Sequence, residues 1–153
     1  MKDIQQWLDE YAVSHKNPTN KAIHWICIPL IFFSIVGFFY SIPWSTNIKG
    51  LPVNIATLTV LFVTLYYLVL SRTLWIGMLL FSVVCLYGWY IIGSAGLPVI
   101  GVAIGIFVLA WIGQFYGHKV EGAKPSFFKD LQFLMIGPAW LMSFIYKKMG
   151  IAV

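Results

Sequence analysis

Acidic residues are nearly missing from this chain. It has five Asp and Glu in 153 residues, and Glu121 is the one acid between Glu10 and Asp130. Charge of either sign is scarce at 10%, against about 25% in a soluble domain. That excludes an ordinary water-exposed surface. The ten Lys and Arg leave a net charge of +5, but no basic patch is interleaved with exposed aromatics, which argues against a nucleic-acid partner. Cysteine is limited to Cys27 and Cys85. Both fall in apolar runs and read as buried free thiols, not as a disulfide or metal pair. No ionisable residue interrupts the middle of an apolar run, which disfavours a transporter. The N-terminal MKDIQQWLDEYAVSHKN lacks the apolar core of a cleavable signal peptide. Neither an internal repeat nor a low-complexity segment is visible.

What is abundant is apolar: 60% of the residues, with mean hydropathy +0.85. The runs do not alternate with period two, so helices are expected instead of a membrane barrel. The expectation is an all-α integral membrane protein of one domain, 1–153. It has about four transmembrane helices, near 22–40, 55–70, 74–92 and 97–115, each close to the roughly 20 residues a bilayer needs. Ile4, Trp7, Leu8 and Tyr11 follow the i, i+3, i+4, i+7 pattern, which predicts a short amphipathic helix over 3–14 at the membrane surface. Asn17-Pro18 breaks the chain, and Asn20 is the expected N-cap of the first span. Residues 41–54 read as a loop.

The run 131–146 contains Gly137-Pro138 and is short. It reads as a re-entrant or interfacial helical segment in preference to a fifth span. Basic residues decide this. Four crossings with both termini cytoplasmic place nine of the ten Lys and Arg inside and leave Lys49 outside. His15, His24, His118 and Glu121 then meet at one face of the membrane. The seven tryptophans fit an interfacial belt or packing.

These are the chain's three histidines. His118 and Glu121 share a helical face, with Gln114 one turn back. Histidine with carboxylate suits iron, zinc or manganese; two histidines and one carboxylate make a non-haem iron face, and three histidines with an open position suit catalytic zinc. Asn17 and Asn20 are turn and cap residues by type, and Lys119, Lys124 and Lys129 are topology determinants. A second role for Lys119 and Lys124 is to steer an anionic head group.

The pattern Tyr11-x3-His15-x-Asn17-x2-Asn20-x3-His24-x4-Pro29, followed by Gln114-Phe115-x-Gly117-His118-x2-Glu121-x3-Pro125, resembles the Mpo-type family of small membrane 2-hydroxy fatty acid dioxygenases. The resemblance covers nearly the whole chain and is nearer to shorter bacterial members. It implies Fe(II) held by His15, His24, His118 and Glu121, which would also be the catalytic residues. It implies O2-dependent conversion of a 2-hydroxy long-chain fatty acid to CO2 and the fatty acid one carbon shorter. Asn17, Asn20, Gln114, Lys119 and Lys124 are the substrate-binding candidates. A bacterial inner membrane, or the endoplasmic reticulum of a eukaryote, is the expected location. The competing readings are a zinc-dependent lipid hydrolase, or other lipid-modifying metalloenzyme, and a non-enzymatic lipid-binding protein.

Overall fold

The computed structural model describes residues 3–122 and 133–153. Helix α1 spans Ile4–Ala12, α2 Pro18–Tyr40, α3 Ile55–Leu70, α4 Leu74–Ser94, α5 Val99–Glu121 and α6 Ile136–Lys148. Strands β1 (Ser45–Ile48) and β2 (Leu51–Asn54) pair antiparallel between α2 and α3.

Helix α1 starts at a capping box. The Gln6 amide donates to Asp3 Oδ1 at 2.8 Å, and the Asp3 amide donates to Gln6 Oε1 at 3.2 Å. Its apolar stripe, Ile4, Leu8 and Tyr11, is buried, and the helix packs on α6 with Tyr11 against Trp140. The helix expected at the membrane surface therefore has a protein partner for its apolar face.

Helix α2 begins one turn before the predicted cap. Asn17, not Asn20, is the N-cap, and its side chain accepts from the Thr19 amide at 2.8 Å. The reason is Pro18, whose fixed φ and missing N–H suit the first helical position. Asn20 is thereby moved inside the helix, with its side chain available for other work.

Residues 45–54, expected as loop, form a hairpin. The turn is Lys49-Gly50, with φ +52° and +86°. Positive φ at both central positions is the geometry that matches the twist of two-residue hairpins. Asn54 then caps α3 by accepting from the Thr57 amide at 2.9 Å.

Three helices, α2, α4 and α5, are long and apolar enough to cross a bilayer; α3 is a shorter apolar helix of 16 residues. The chain is a mostly helical membrane protein. Its outward faces carry exposed Leu61, Phe62, Val69, Leu80, Val84 and Leu109, as a lipid-facing surface requires. Helices α2 and α5 form the most extensive pairing in the fold. On the other side of α2, Trp89 of α4 stacks on Phe33 at 4.5 Å and donates from Nε1 to the Phe33 carbonyl at 2.7 Å.

Helix α6 has 13 residues, about 20 Å at 1.5 Å per residue, and so falls short of the ~30 Å hydrocarbon core. Most of it is buried, packed on α1, α2 and α4. Tyr146 pins its end to α4: Oη donates to the Thr73 carbonyl at 3.0 Å and accepts from the Gly77 amide at 2.9 Å. Cys27 and Cys85 are buried and free, as their positions predict.

Candidate metal centre

Three segments deliver one histidine each. His15 sits on the link between α1 and α2, His24 in the second turn of α2, and His118 in the last turn of α5. The antiparallel pairing of α2 and α5 brings the start of one beside the end of the other, across about a hundred residues of sequence. His15, His24 and His118 are 4%, 0% and 4% exposed. Their ring centroids lie 4.4, 5.4 and 5.0 Å apart (15–24, 15–118 and 24–118), each pair edge to face. One ligating nitrogen from each lies within 4.8 Å of the other two.

Two of the three rings are oriented by backbone. His15 Nδ1 lies 2.7 Å from the Tyr11 carbonyl oxygen and His24 Nδ1 2.9 Å from that of Asn20. A carbonyl only accepts, so each Nδ1 carries the proton and donates. Nε2 is then the nitrogen that could ligate a metal, and Nε2 of all three rings is shielded from solvent. Such outer hydrogen bonds fix the tautomer and orientation of metal-binding histidines. Tyr11 also stacks flat on His15 at 4.2 Å and 11°, and Trp140 stands 5.3 Å from the same ring.

A ligating histidine nitrogen stands about 2.0–2.1 Å from its metal. Nitrogens within 4.8 Å of one another come into range of one ion after a small inward rotation of the rings. Three imidazoles in a buried, water-shielded site fit a divalent transition metal by donor chemistry.

Glu121 stands beside this triad in a different arrangement. Its carboxylate accepts from the Lys16 amide at 2.9 Å, the Asn17 amide at 2.9 Å and Asn20 Nδ2 at 2.9 Å. It closes the link carrying His15 onto the end of α5 carrying His118. Asn20 is fully buried, and its Nδ2 also donates to the Ser14 carbonyl at 3.3 Å. Asn17 is engaged as the N-cap. Gln114 is 6% exposed, and its Oε1 has no hydrogen-bond partner among the described residues. It lines a small cavity of about 20 Å³ with Tyr11, Ile28, Ile31 and Trp111. Lys119 lies on the exposed side of α5. Lys124 and Lys129 lie outside the described residues.

Gly117 was not singled out by chemistry, yet it sets the geometry. A Cβ there would lie 2.4 Å from Asn20 Oδ1 and 3.2 Å from His24 Cε1. One turn earlier, a Cβ at Gly113 would lie 2.5 Å from Cys27 Sγ. The signal was present in the sequence: Gly113-x3-Gly117 is the small-residue spacing that lets membrane helices approach closely.

Comparisons with known proteins find relatives along nearly the whole chain. The family model described as 2-hydroxy-palmitic acid dioxygenase Mpo1-like matches residues 1–149. The 2-hydroxy-palmitic acid dioxygenase MPO1 of Saccharomyces cerevisiae is 30% identical over 148 residues, covering 95% of this chain and 81% of the yeast protein. No solved structure matches.

Proposed function

The chain belongs to the Mpo1-like family, and from that premise we propose that it is an Fe(II)-dependent dioxygenase of 2-hydroxy long-chain fatty acids. The observation that carries the proposal is the buried triad of His15, His24 and His118, drawn from three segments and oriented by backbone carbonyls. The net reaction takes one O2 and one 2-hydroxy acid to CO2, water and the acid one carbon shorter. The carboxyl carbon leaves as CO2, and the carbon that bore the hydroxyl becomes the new carboxyl.

His15, His24 and His118 would hold the iron. Fe(II) there supplies the redox chemistry by which O2 reacts with a bound organic substrate. The remaining work belongs to side chains. Gln114 Oε1, buried and with spare acceptor capacity, accepts a hydrogen bond from the substrate 2-hydroxyl. Asn20 and Glu121 are positioning residues that hold the link carrying His15 against α5. Asn17 keeps the start of α2 formed within reach of the substrate head. Lys119, with Lys124, draws the carboxylate to the site from the membrane surface. Tyr11, Trp140 and Trp111 exclude bulk water from the triad.

The topology that fits this chemistry has four crossings, with α3 completing the set, and α6 re-entrant on the side of the site. Both termini and the histidines then face the cytoplasm, and Lys49 of the hairpin turn is the basic residue on the far side. The membrane is a bacterial inner membrane, or the endoplasmic reticulum in a eukaryotic host.

The test is elemental analysis of detergent-purified protein prepared without oxygen, followed by turnover of carboxyl-labelled 2-hydroxypalmitate. About one iron per chain, with O2-dependent release of labelled CO2, is the expected result. Zinc that iron does not replace, with product formation that needs water and no O2, would overturn the proposal in favour of a hydrolase.

A further inference from the structure

Three hollows lie in series along α6. The first, of about 20 Å³, touches the histidine site through Tyr11 and Gln114, and its wall includes Ile28 and Pro138. The second, of about 120 Å³, shares Ile28 and Pro138 with the first. It also has Phe81, Met142 and Ile145 in its wall, and these three recur in a third hollow of about 570 Å³ between α4 and α6. The third opens on the outer face of α4 beside Leu80 and Val84, which are 63% and 66% exposed. From Pro138 to Met149, the residue that caps α6, the series follows eleven residue steps, about 16 Å at 1.5 Å per step.

Polarity is distributed unevenly along this path. At the inner end Gln114 offers a buried oxygen with no partner among the described residues. Ile28, Pro138, Phe81, Leu141, Met142 and Ile145 then supply an apolar wall. A molecule suited to all three hollows has a hydrogen-bonding head at the histidines and a single apolar tail running out towards the bilayer.

We propose that the α4–α6 groove is the acyl-chain site of the substrate, with Phe81, Met142 and Ile145 at the joint between hollows setting which chain lengths are accepted. This rests on the dioxygenase reading for the identity of the head, but not for the path of the tail. Moving an acyl chain from lipid into an apolar groove gains little hydrophobic free energy, because the two surroundings are alike. The groove therefore sets register and length, while the head supplies affinity. The inner hollow is too small for a second chain, so the tail leaves through the joint and the product escapes sideways into the membrane.

Two measurements test this on the full-length protein in phosphatidylcholine nanodiscs. Ile145→Trp fills the joint from a partly exposed position. It should lower kcat/KM for 2-hydroxypalmitate relative to 2-hydroxyoctanoate at least tenfold, with metal content unchanged. An unchanged chain-length profile overturns the proposal while leaving the dioxygenase reading intact. Independently of turnover, 2-hydroxypalmitate carrying a diazirine at its methyl end should label Leu80, Val84 or Met149 in the native protein, and excess 2-hydroxypalmitate should suppress that labelling. Labelling confined to other faces, or labelling that the excess acid does not suppress, means the groove holds bulk phospholipid and refutes the site. Competed labelling without any O2-dependent product keeps the acyl site and removes the dioxygenase.

Discussion

Replacing Gly117 by alanine adds one carbon at the crossing of α2 and α5, and its consequences separate folding from metal binding. The new Cβ would lie 2.4 Å from Asn20 Oδ1, about 1 Å inside ordinary contact. Asn20 has little room to yield. It is fully buried, and its Nδ2 is tied to Glu121 and to the Ser14 carbonyl. The His24 ring, 3.2 Å from the same Cβ, is the next group to move. Overpacking of this kind costs about 1–3 kcal/mol. Alanine in place of glycine inside a helix returns about 0.8–1.0 kcal/mol. Net stability should therefore fall by no more than about 2 kcal/mol. Metal affinity should fall further. Displaced supporting residues typically weaken a site 10–100-fold, and a site tolerates distance errors of only about 0.2 Å. The assay is anaerobic titration of metal-free protein with Co(II) or Fe(II), alongside thermal unfolding in detergent. Gly105→Ala is the control, since nothing lies within 4 Å of a Cβ there; it should bind metal normally and be as stable as the native protein or more so. Native affinity in Gly117→Ala, within twofold, would refute the argument that this approach sets the positions of His24 and His118.

His118→Ala should leave the protein membrane-inserted, with metal content near zero and no O2-dependent product; elemental analysis of the purified variant checks this. Glu121→Gln should retain one metal per chain but bind it 10–100-fold more weakly, because an amide places a donor among groups that themselves donate; complete loss of metal would instead make Glu121 a ligand. Tyr146→Phe removes the hydroxyl that joins the Thr73 carbonyl and the Gly77 amide, and should lower stability by about 1–2 kcal/mol with metal content unchanged, read from unfolding midpoints. Stripping the metal with a chelator should lower the thermal midpoint of the native protein, since free metal at 100 times its Kd stabilises by about 2.7 kcal/mol; His118→Ala should show no such shift.

The sequence by itself determined the membrane class, most of the helices and the three histidines that the fold brings together. Composition decides class because a bilayer tolerates few charges and requires backbone groups to bond within each helix. Helix limits followed closely from apolar run lengths, and α5 continues past the predicted 115 to carry His118 and Glu121. Rarity made the site visible: three histidines and one isolated acid stand out where almost nothing else ionises. Three features were decided by the tertiary structure. Asn20, the expected cap, gives way to Asn17 because Pro18 takes the first helical position. The hairpin at 45–54 turned on Lys49 and Gly50 both adopting positive φ, for which Lys-Gly is a weak signal. The placement of Glu121 beside the triad and not within it turned on where the link between α1 and α2 docks. Spacing places Glu121 on the face of His118, but only packing brings the Lys16 and Asn17 amides to its carboxylate. Periodicity reports which side of a helix a residue occupies. It carries no information on which distant backbone groups will meet that side, because those depend on how closely two helices approach, and here Gly113 and Gly117 permit that approach.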